Sequence, residues 1–399
     1  MRKNIWIINE YAGSPDHGLH LRHYYLAKEF IKYGHNPIII SGSCSHLLHR
    51  RPETRGWFTK EKIRGINYIW IRVPQYKRSH SPKRMLKWLI FSSSLPFISK
   101  APKPDIILAS PTATYPIPPA YMLARKHKAR FILEIRDIWP LTLKELGKLT
   151  TKHPLVVSMS WLEKWGIRKC DHLVSSLPGY GEYLKEMGMG RTFEYIPNGV
   201  DIQEMSDAAP LDPSIESQLP GQGFIVGYAG TFGCANALQY LLQAAEIITD
   251  SRVKFVLVGG GQEKNDLLKK YSSLHNVFFL PAIPKIQVQA LLARFDVCYI
   301  GWNSSNIYRY GLAANKLFEY MYAAKPILHS CNSNTDVVKK AGCGLSVTVA
   351  DPQAIAEGVM RMLKMPRMQR EQMGKKGREY VIKNHAYESL ALNYMNLFS

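Results

Sequence analysis

Residues 310–320 read Tyr310-Gly311-Leu312-Ala313-Ala314-Asn315-Lys316-Leu317-Phe318-Glu319-Tyr320, and the segment runs on to Pro326-Ile327. Asn315 is a good helix-capping type, which predicts Lys316 and Glu319 in a first helical turn, on one face. The free amides of a helix start beside an ammonium make a natural phosphate site, and a carboxylate one turn on can accept hydrogen bonds from vicinal ribose hydroxyls. An i,i+3 salt bridge with capping fits the same spacing equally well. Val258-Gly259-Gly260-Gly261 stands between a strand-like and a helix-like run, where glycine either lets backbone approach a ligand or closes a tight turn. Leu133-Glu134-Ile135-Arg136-Asp137 ends a predicted strand in charges, which are costly there unless paired or used. A Glu134–Arg136 or Arg136–Asp137 ion pair is the alternative to use. His20, His23 and His35 follow no zinc spacing, and no D-x-D pair is present to hold Mg²⁺.

Alternating β-branched runs and amphipathic segments must position these residues, the pattern of βα units on parallel sheets. Strands are predicted at 4–9, 37–41, 67–71, 105–109, 130–135, 172–175 and 193–196, then at 223–229, 253–258, 277–280, 296–300, 326–329 and 344–347. Leu19, Tyr24, Leu26, Ala27, Phe30 and Ile31 have helical spacing before Gly34. Helices are also expected at 239–249, 263–271, 316–323 and through most of 352–399. Residues 201–222 contain no Lys or Arg and include Pro210, Pro213 and Pro220, so they read as an irregular linker. The chain of 399 residues is long enough for two cores. The expected architecture is α/β, two doubly wound Rossmann-like domains with strand ends facing a shared central cleft. The first spans 1–197, with a C-terminal helix near 383–399 placed to pack back on it; the second spans 198–382.

Charge is unevenly spread. The net +21 divides into +18 for residues 1–200 and +3 for 201–399, and residues 50–103 hold fourteen basic and two acidic side chains. Such a field attracts phosphates of lipid head groups or of nucleic acid. Lys77, Arg78, Lys83, Arg84, Lys87, Lys100 and Lys103 flank Trp88-Leu89-Ile90-Phe91 and Leu95-Pro96-Phe97-Ile98, a combination that predicts a head-group-layer segment in which Lys83, Arg84, Lys87 and Trp88 meet the membrane or its acceptor. Packing of Trp88–Phe91 into the core is the alternative. No stretch approaches the length of a spanning helix, and the run after Arg2-Lys3 is too short for an export signal. The six cysteines form no C-x-x-C pair and read as buried free thiols of a reducing compartment, which places the protein in the cytoplasm, attached peripherally to the inner face of its membrane.

The 310–327 segment, with Ile196-Pro197-Asn198-Gly199-Val200-Asp201 and Val258-Gly259-Gly260-Gly261, resembles the donor domain of the retaining family 4 glycosyltransferases of the GT-B fold. Nearly the whole chain takes part. Arg136-Asp137-Ile138-Trp139-Pro140 and the K-x-x-E-Y run at Lys316–Tyr320 are similar to the subgroup that transfers N-acetylated aminosugars of the N-acetylfucosamine type in O-antigen and capsule assembly. The resemblance implies that Glu319 holds the donor ribose, and that Gly18, Gly230, Thr231, Gly259, Gly261, Arg309, Asn315, Lys316 and Leu317 surround the nucleotide diphosphate. His17, Arg136, Asp137 and Lys316 are the implied catalytic residues, with Arg136 toward phosphate or acceptor and Asp137 as an acceptor-orienting base. His17 is equally well read as a solvated loop histidine. Two departures stand out: Gly311 occupies the place of the family's first glutamate, and the usual Arg and Lys are missing from the Gly230–Asn236 loop. Lys316 with Arg309 is the nearest replacement. The expected reaction passes a sugar from a UDP-sugar to a polyprenyl-diphosphate-linked saccharide without cofactor or metal. A nucleotide-sugar epimerase of the same fold and a basic nucleic-acid-binding protein are the alternatives; the last lacks any recognised nucleic-acid motif, so no nucleic-acid partner is expected.

Overall fold

The computed structural model describes the chain except residues 19, 77–80, 100, 146, 312–313 and 399. The expectations for Leu19, Lys77, Arg78, Lys100, Leu312 and Ala313 therefore lie outside the described residues. Two compact units form, one from residues 1–198 with 387–399, the other from 199–386.

The N-terminal unit contains strands β1 (Asn4–Ile8), β2 (Asn36–Gly42), β3 (Phe58–Ile63), β4 (Ile66–Ile71), β5 (Ile106–Ala109), β6 (Arg130–Ile135), β7 (His172–Ser175) and β8 (Glu194–Tyr195). Its helices are α1 (Arg22–Lys32), α2 (Pro82–Ser94), α3 (Ile117–His127), α4 (Trp139–Glu145), α5 (Pro154–Lys169) and α6 (Tyr180–Glu186). The sheet order is β3-β4-β2-β1-β5-β6-β7-β8, parallel except for the β3–β4 hairpin. Sequence periodicity missed β3, whose FTKEKI has one fully buried residue and so carries little apolar signal. Without β3, the order places β1 at the topological switch between β2 and β5, where open α/β sheets bind ligands at their carboxyl ends. The C-terminal helix Tyr387–Met395 packs on α1: Tyr25 stacks on Tyr387 at 4.8 Å between ring centroids, and Phe30 meets Tyr394 edge-on at 6.3 Å.

The second unit begins with α7 (Ile202–Ser206) and α8 (Pro213–Glu216), then β9 (Phe224–Ala229), α9 (Leu238–Ile247), β10 (Val253–Val258), α10 (Lys264–Tyr271) and β11 (Val277–Leu280). It continues through α11 (Val288–Ala293), β12 (Val297–Gly301), α12 (Asn315–Tyr322), β13 (Ile327–Ser330), α13 (Val337–Ala341), β14 (Gly344–Val347), α14 (Pro352–Lys364) and α15 (Arg367–His385). The order β11-β10-β9-β12-β13-β14 is fully parallel, with its switch between β9 and β12. The predicted linker at 201–222 is instead folded: Met205, Leu211 and Ile215 are buried in the core, and Asp201 and Asp212 cap the two short helices. Prolines there occupy helix starts and turns, which composition alone reads as irregular. No helix among the described residues is long and apolar enough to cross a membrane.

Candidate active site

In the second unit, β9 ends at a loop, Gly230-Thr231-Phe232, that is zipped to the loop after β10. Gly230 N donates to Val258 O (2.9 Å) and Phe232 N to Gly260 O (2.8 Å). The glycines are required by this contact: at φ +149° and +150°, a Cβ on Gly259 would lie 1.8 Å from Gly230 O, and one on Gly261 2.3 Å from Phe232 O. They shape the loop by close backbone approach. Tyr320 of α12 both donates to Ala229 O and accepts from Ala229 N at 2.9 Å, fixing the helix against the end of β9.

Lys316 thereby lies over Gly230, within 3.1 Å of where its Cβ would be. Its Nζ donates to Tyr228 Oη (2.7 Å) and to Asn236 Oδ1, while Tyr228 Oη donates to Thr231 O (2.7 Å). All these acceptors are neutral. Burial pushes the Lys316 ammonium down to about 7, with Glu319 opposing, so an anion arriving here would meet a cation short of charge. Lys316 and Glu319 do not form the i,i+3 salt bridge that their spacing allowed. Glu319 is half-buried, and among the described residues its carboxylate takes no hydrogen bond; burial and then Glu204 push its pKa up, against Lys285 and Lys316. Glu204 is itself paired with Lys285 at 3.0 Å.

Helix α12 starts one residue earlier than the sequence implied. Ala314 is the N-cap without a side-chain bond, and Asn315 is an exposed first helical residue, which moves Glu319 into the second turn. Asn315 fails as a cap because its own backbone is already helical. The Leu317 side chain is buried in the core, which leaves its backbone as the part able to meet a donor. Arg309 is exposed, turns onto Tyr310 at 4.6 Å, and lines a recess of about 220 Å³ with Trp302, Tyr308, Cys331 and Asn332, one that Lys316 does not line. Beside that recess, His329, Cys331 and Asp336 bring ligand atoms within 4.8 Å of one another, close enough to hold a metal ion. Both ring nitrogens are engaged: Trp302 Nε1 donates to His329 Nε2 (3.1 Å), and Nδ1 meets Asp336 Oδ1 (2.9 Å). This trio ties the end of β13 to α13. Cys234 is exposed on a 3-10 turn, against the expectation that all six free thiols are buried; the other five are.

In the N-terminal unit Glu134 is fully buried and belongs to Arg22. Arg22 Nη2 lies 2.7 Å from Glu134 Oε1, His23 Nε2 lies 3.3 Å from Oε2, and Tyr394 Oη donates to Oε1. The same guanidinium donates to Ile196 O (2.9 Å), Pro197 O and Asn198 Oδ1 (3.2 Å). Arg22, unnoticed in the sequence because it sits in an apolar helix face, thus fastens the Pro197-Asn198 turn and the C-terminal helix to β6. Arg136 is left half-buried with its Nε unpartnered, and Asp137 is exposed; neither of the two ion pairs weighed as alternatives forms.

His17 is packed into its loop and is not the solvated histidine that the sequence allowed. It is 5% exposed, held by Ser14 Oγ on Nδ1 (2.8 Å), with Nε2 3.7 Å from Glu61 and its ring 5.3 Å from Trp70. Gly18 bridges to Leu48, where a Cβ would strike Leu47 O at 2.6 Å, so it too serves the local packing. Lys87 and Trp88 are corrected likewise: both are buried, Trp88 in a cluster with Tyr11, Ala113 and Met159. Arg84 is half-buried, its guanidinium 4.8 Å from the Trp139 ring and donating to Tyr11 Oη (2.8 Å). A helix of period 3.6 that packs one face against the rest of the unit turns part of a continuous basic run inward. Lys83 remains exposed, beside exposed Met85, Leu86 and Leu89.

Two family models match the chain: Glycosyltransferase Family 4 over residues 18–204 and Glycosyl transferases group 1 over 223–365. With both Rossmann-like units, these matches make the chain a glycosyltransferase of the family 4/group 1 type with the GT-B fold. It is similar to WcaI of Escherichia coli K12, provisionally assigned as a colanic acid biosynthesis glycosyl transferase, with 26% identity over 283 residues, 67% of this chain and 68% of that one. Among solved structures, sucrose-phosphate synthase of Thermosynechococcus elongatus superposes with a TM-score of 0.75 at 17% identity, covering 100% of this chain and 98% of that one. Anabaena Alr3699/HepE in complex with UDP-glucose does so with a TM-score of 0.67 at 12% identity, covering 99% of each.

Proposed function

We propose that this glycosyltransferase moves a sugar, an N-acetylated aminosugar, from a UDP-sugar to a polyprenyl-diphosphate-linked saccharide in surface polysaccharide assembly, with retention at the transferred carbon. The observation that carries the reading is Lys316, an ammonium bonded only to neutral oxygens and set over the Gly230-Thr231 loop, with the unbonded carboxylate of Glu319 one turn along the helix. That pair suits a diphosphate and a ribose, and the complex of Anabaena Alr3699/HepE with UDP-glucose adds support by fold. Charge on the departing diphosphate is met by Lys316 and the loop amides without a metal. Stabilisation by UDP and not by oligonucleotides in a thermal-shift screen tests the reading, and hydrolysis across UDP-, GDP- and dTDP-sugars then identifies the donor. The opposite thermal pattern would overturn it.

Glu319→Ala removes acceptors for two ribose hydroxyls, each charge-assisted bond worth about 1.5–3 kcal/mol. UDP affinity measured by calorimetry is expected to fall tenfold or more with the thermal midpoint little changed. Unaltered affinity would remove Glu319 from the site.

The lipid-linked acceptor implies work at the inner face of the cytoplasmic membrane. Support comes from the outward side of α2, where Met85, Leu86 and Leu89 are exposed next to Lys83, and from Phe97, 70% exposed beside a recess lined by Lys103 and Lys126. Apolar side chains ringed by Lys suit an anionic bilayer. Sedimentation with anionic vesicles at low salt is expected to deplete the protein from solution, and replacement of Leu86 and Leu89 by Ser together with Lys83→Glu to reverse this. A parent that stays in solution would remove the membrane from the reading.

A further inference from the structure

We propose that the N-terminal unit holds a second ligand site, a phosphate-binding recess at the amino edge of its sheet, opposite the edge at which doubly wound sheets carry their substrates. The recess has a volume of about 680 Å³, and Lys3, Lys103, Arg125, His127, Lys128 and Arg130 line it. They come from separate parts of the chain. Lys3 precedes β1 and Lys103 precedes β5, Arg125 and His127 lie in the last turn of α3, Lys128 caps that helix, and Arg130 opens β6. Strands β1, β5 and β6 are neighbours in the sheet, so their starts meet along one edge. The site stands apart from the donor and membrane readings above.

Asp105 and Asp171 also line the recess, and both are engaged by the chain itself. Asp105 Oδ2 accepts from Asn4 N at 2.7 Å, and Asp171 Oδ2 accepts from Phe131 N at 2.7 Å. Arg125 pairs with Asp171, its Nη2 2.7 Å from Oδ2. Arg130 Nη1 lies 3.0 Å from His172 Nε2, a neutral acceptor, since burial and then Arg130 lower the His172 pKa. Among the described residues Lys3, Lys103 and Lys128 are paired to no carboxylate. His127 registers the excess of positive charge: burial first, then Lys126 and Lys103, push its pKa down. Cations in a last helical turn also complement the helix macrodipole, which accounts for Arg125, His127 and Lys128 but not for Lys3, Lys103 and Arg130 at the strand starts. Lys128 moreover has φ +55°, a left-handed backbone that glycine or asparagine adopts more easily. Cations arriving from strand starts and a helix end suit a tetrahedral phosphate, up to doubly charged with three strong acceptor oxygens, better than a carboxylate with two coplanar ones. Lys103 and His127 also line the smaller recess beside exposed Phe97, so the same chemistry serves a lipid head group as well as a soluble phosphate.

The probe is inorganic pyrophosphate, titrated by calorimetry into the Lys316→Ala protein at constant ionic strength. Binding is expected there, and it is expected to weaken tenfold or more when Lys3→Gln and Lys128→Asn are added; asparagine tolerates the left-handed backbone, so the fold is kept. Lys269→Gln with Lys364→Gln removes the same charge from exposed positions of the second unit and is expected to leave the affinity unchanged. Absence of binding in Lys316→Ala, binding that the recess pair does not weaken, or an equal loss in the distant pair each overturns the site. Sedimentation with phosphatidic-acid vesicles separates the two sources of phosphate: release of the protein by the recess pair identifies a lipid head group, and unchanged behaviour identifies a soluble phosphate; both sustain the site. Failure of UDP to bind the parent would overturn the donor reading and leave the pyrophosphate result standing.

Discussion

Lys316→Ala is expected to lower turnover by about 10²–10³-fold, the scale for losing one preorganised donor at a site of developing charge, while uridine binding changes only a few-fold. The asymmetry follows from where the charge grows: the leaving diphosphate gains negative charge toward the transition state, whereas the nucleoside does not. In the free enzyme burial holds the Lys316 ammonium down to about 7, partly countered by Glu319. The charged form therefore dominates below that pH and is lost above it, so kcat/KM of the parent is expected to decline as pH rises through about 7, a limb that Lys316→Ala should lack. A variant with parental turnover, or a strict dependence on Mg²⁺, would contradict this account.

Breaking the latch at Arg22 is expected to cost about 3–5 kcal/mol of folding stability, because one partner of a fully buried pair is left without its counter-charge. Glu134→Gln does this while keeping the shape of the side chain. Urea denaturation followed by fluorescence measures the loss, and a change below about 1 kcal/mol would show that the pair is dispensable. The double replacement Arg22→Met with Glu134→Leu should recover much of the loss, since apolar side chains of similar volume need no partner. The pH dependence has a definite sign. Burial alone would raise the Glu134 pKa, but Arg22 and His23 hold it well below the usual carboxylate value. Its contribution is thus present above the unfolded carboxylate pKa and fades as pH falls toward the folded one.

Much of the fold could be read directly. Strands β6, β7, β10, β11 and β14 have the bounds that periodicity predicts, because short, mostly apolar runs stand between turn-forming or helical segments. The segment around Lys316 and Glu319 was legible because its residues lie close together in the chain, within one helix.

What spacing could not decide was which side chains turn inward. Lys83, Arg84, Lys87 and Trp88 form one basic, apolar run in the sequence, yet α2 exposes Lys83 and buries Lys87 and Trp88, since only the tertiary neighbours define the inner face. His17 looks like a loop residue until Ser14, Glu61 and Trp70, the last two far along the chain, close around it. Arg22 and Glu134 are 112 positions apart, and Tyr394 lies 260 beyond Glu134; charges that meet across such distances leave no local pattern. The sequence by itself therefore determined the two α/β units and the helix that bears Lys316 and Glu319, both properties of local periodicity. The partner of each buried charge was decided only by the tertiary structure, because the cost of burying a charge depends on what the folded chain brings beside it.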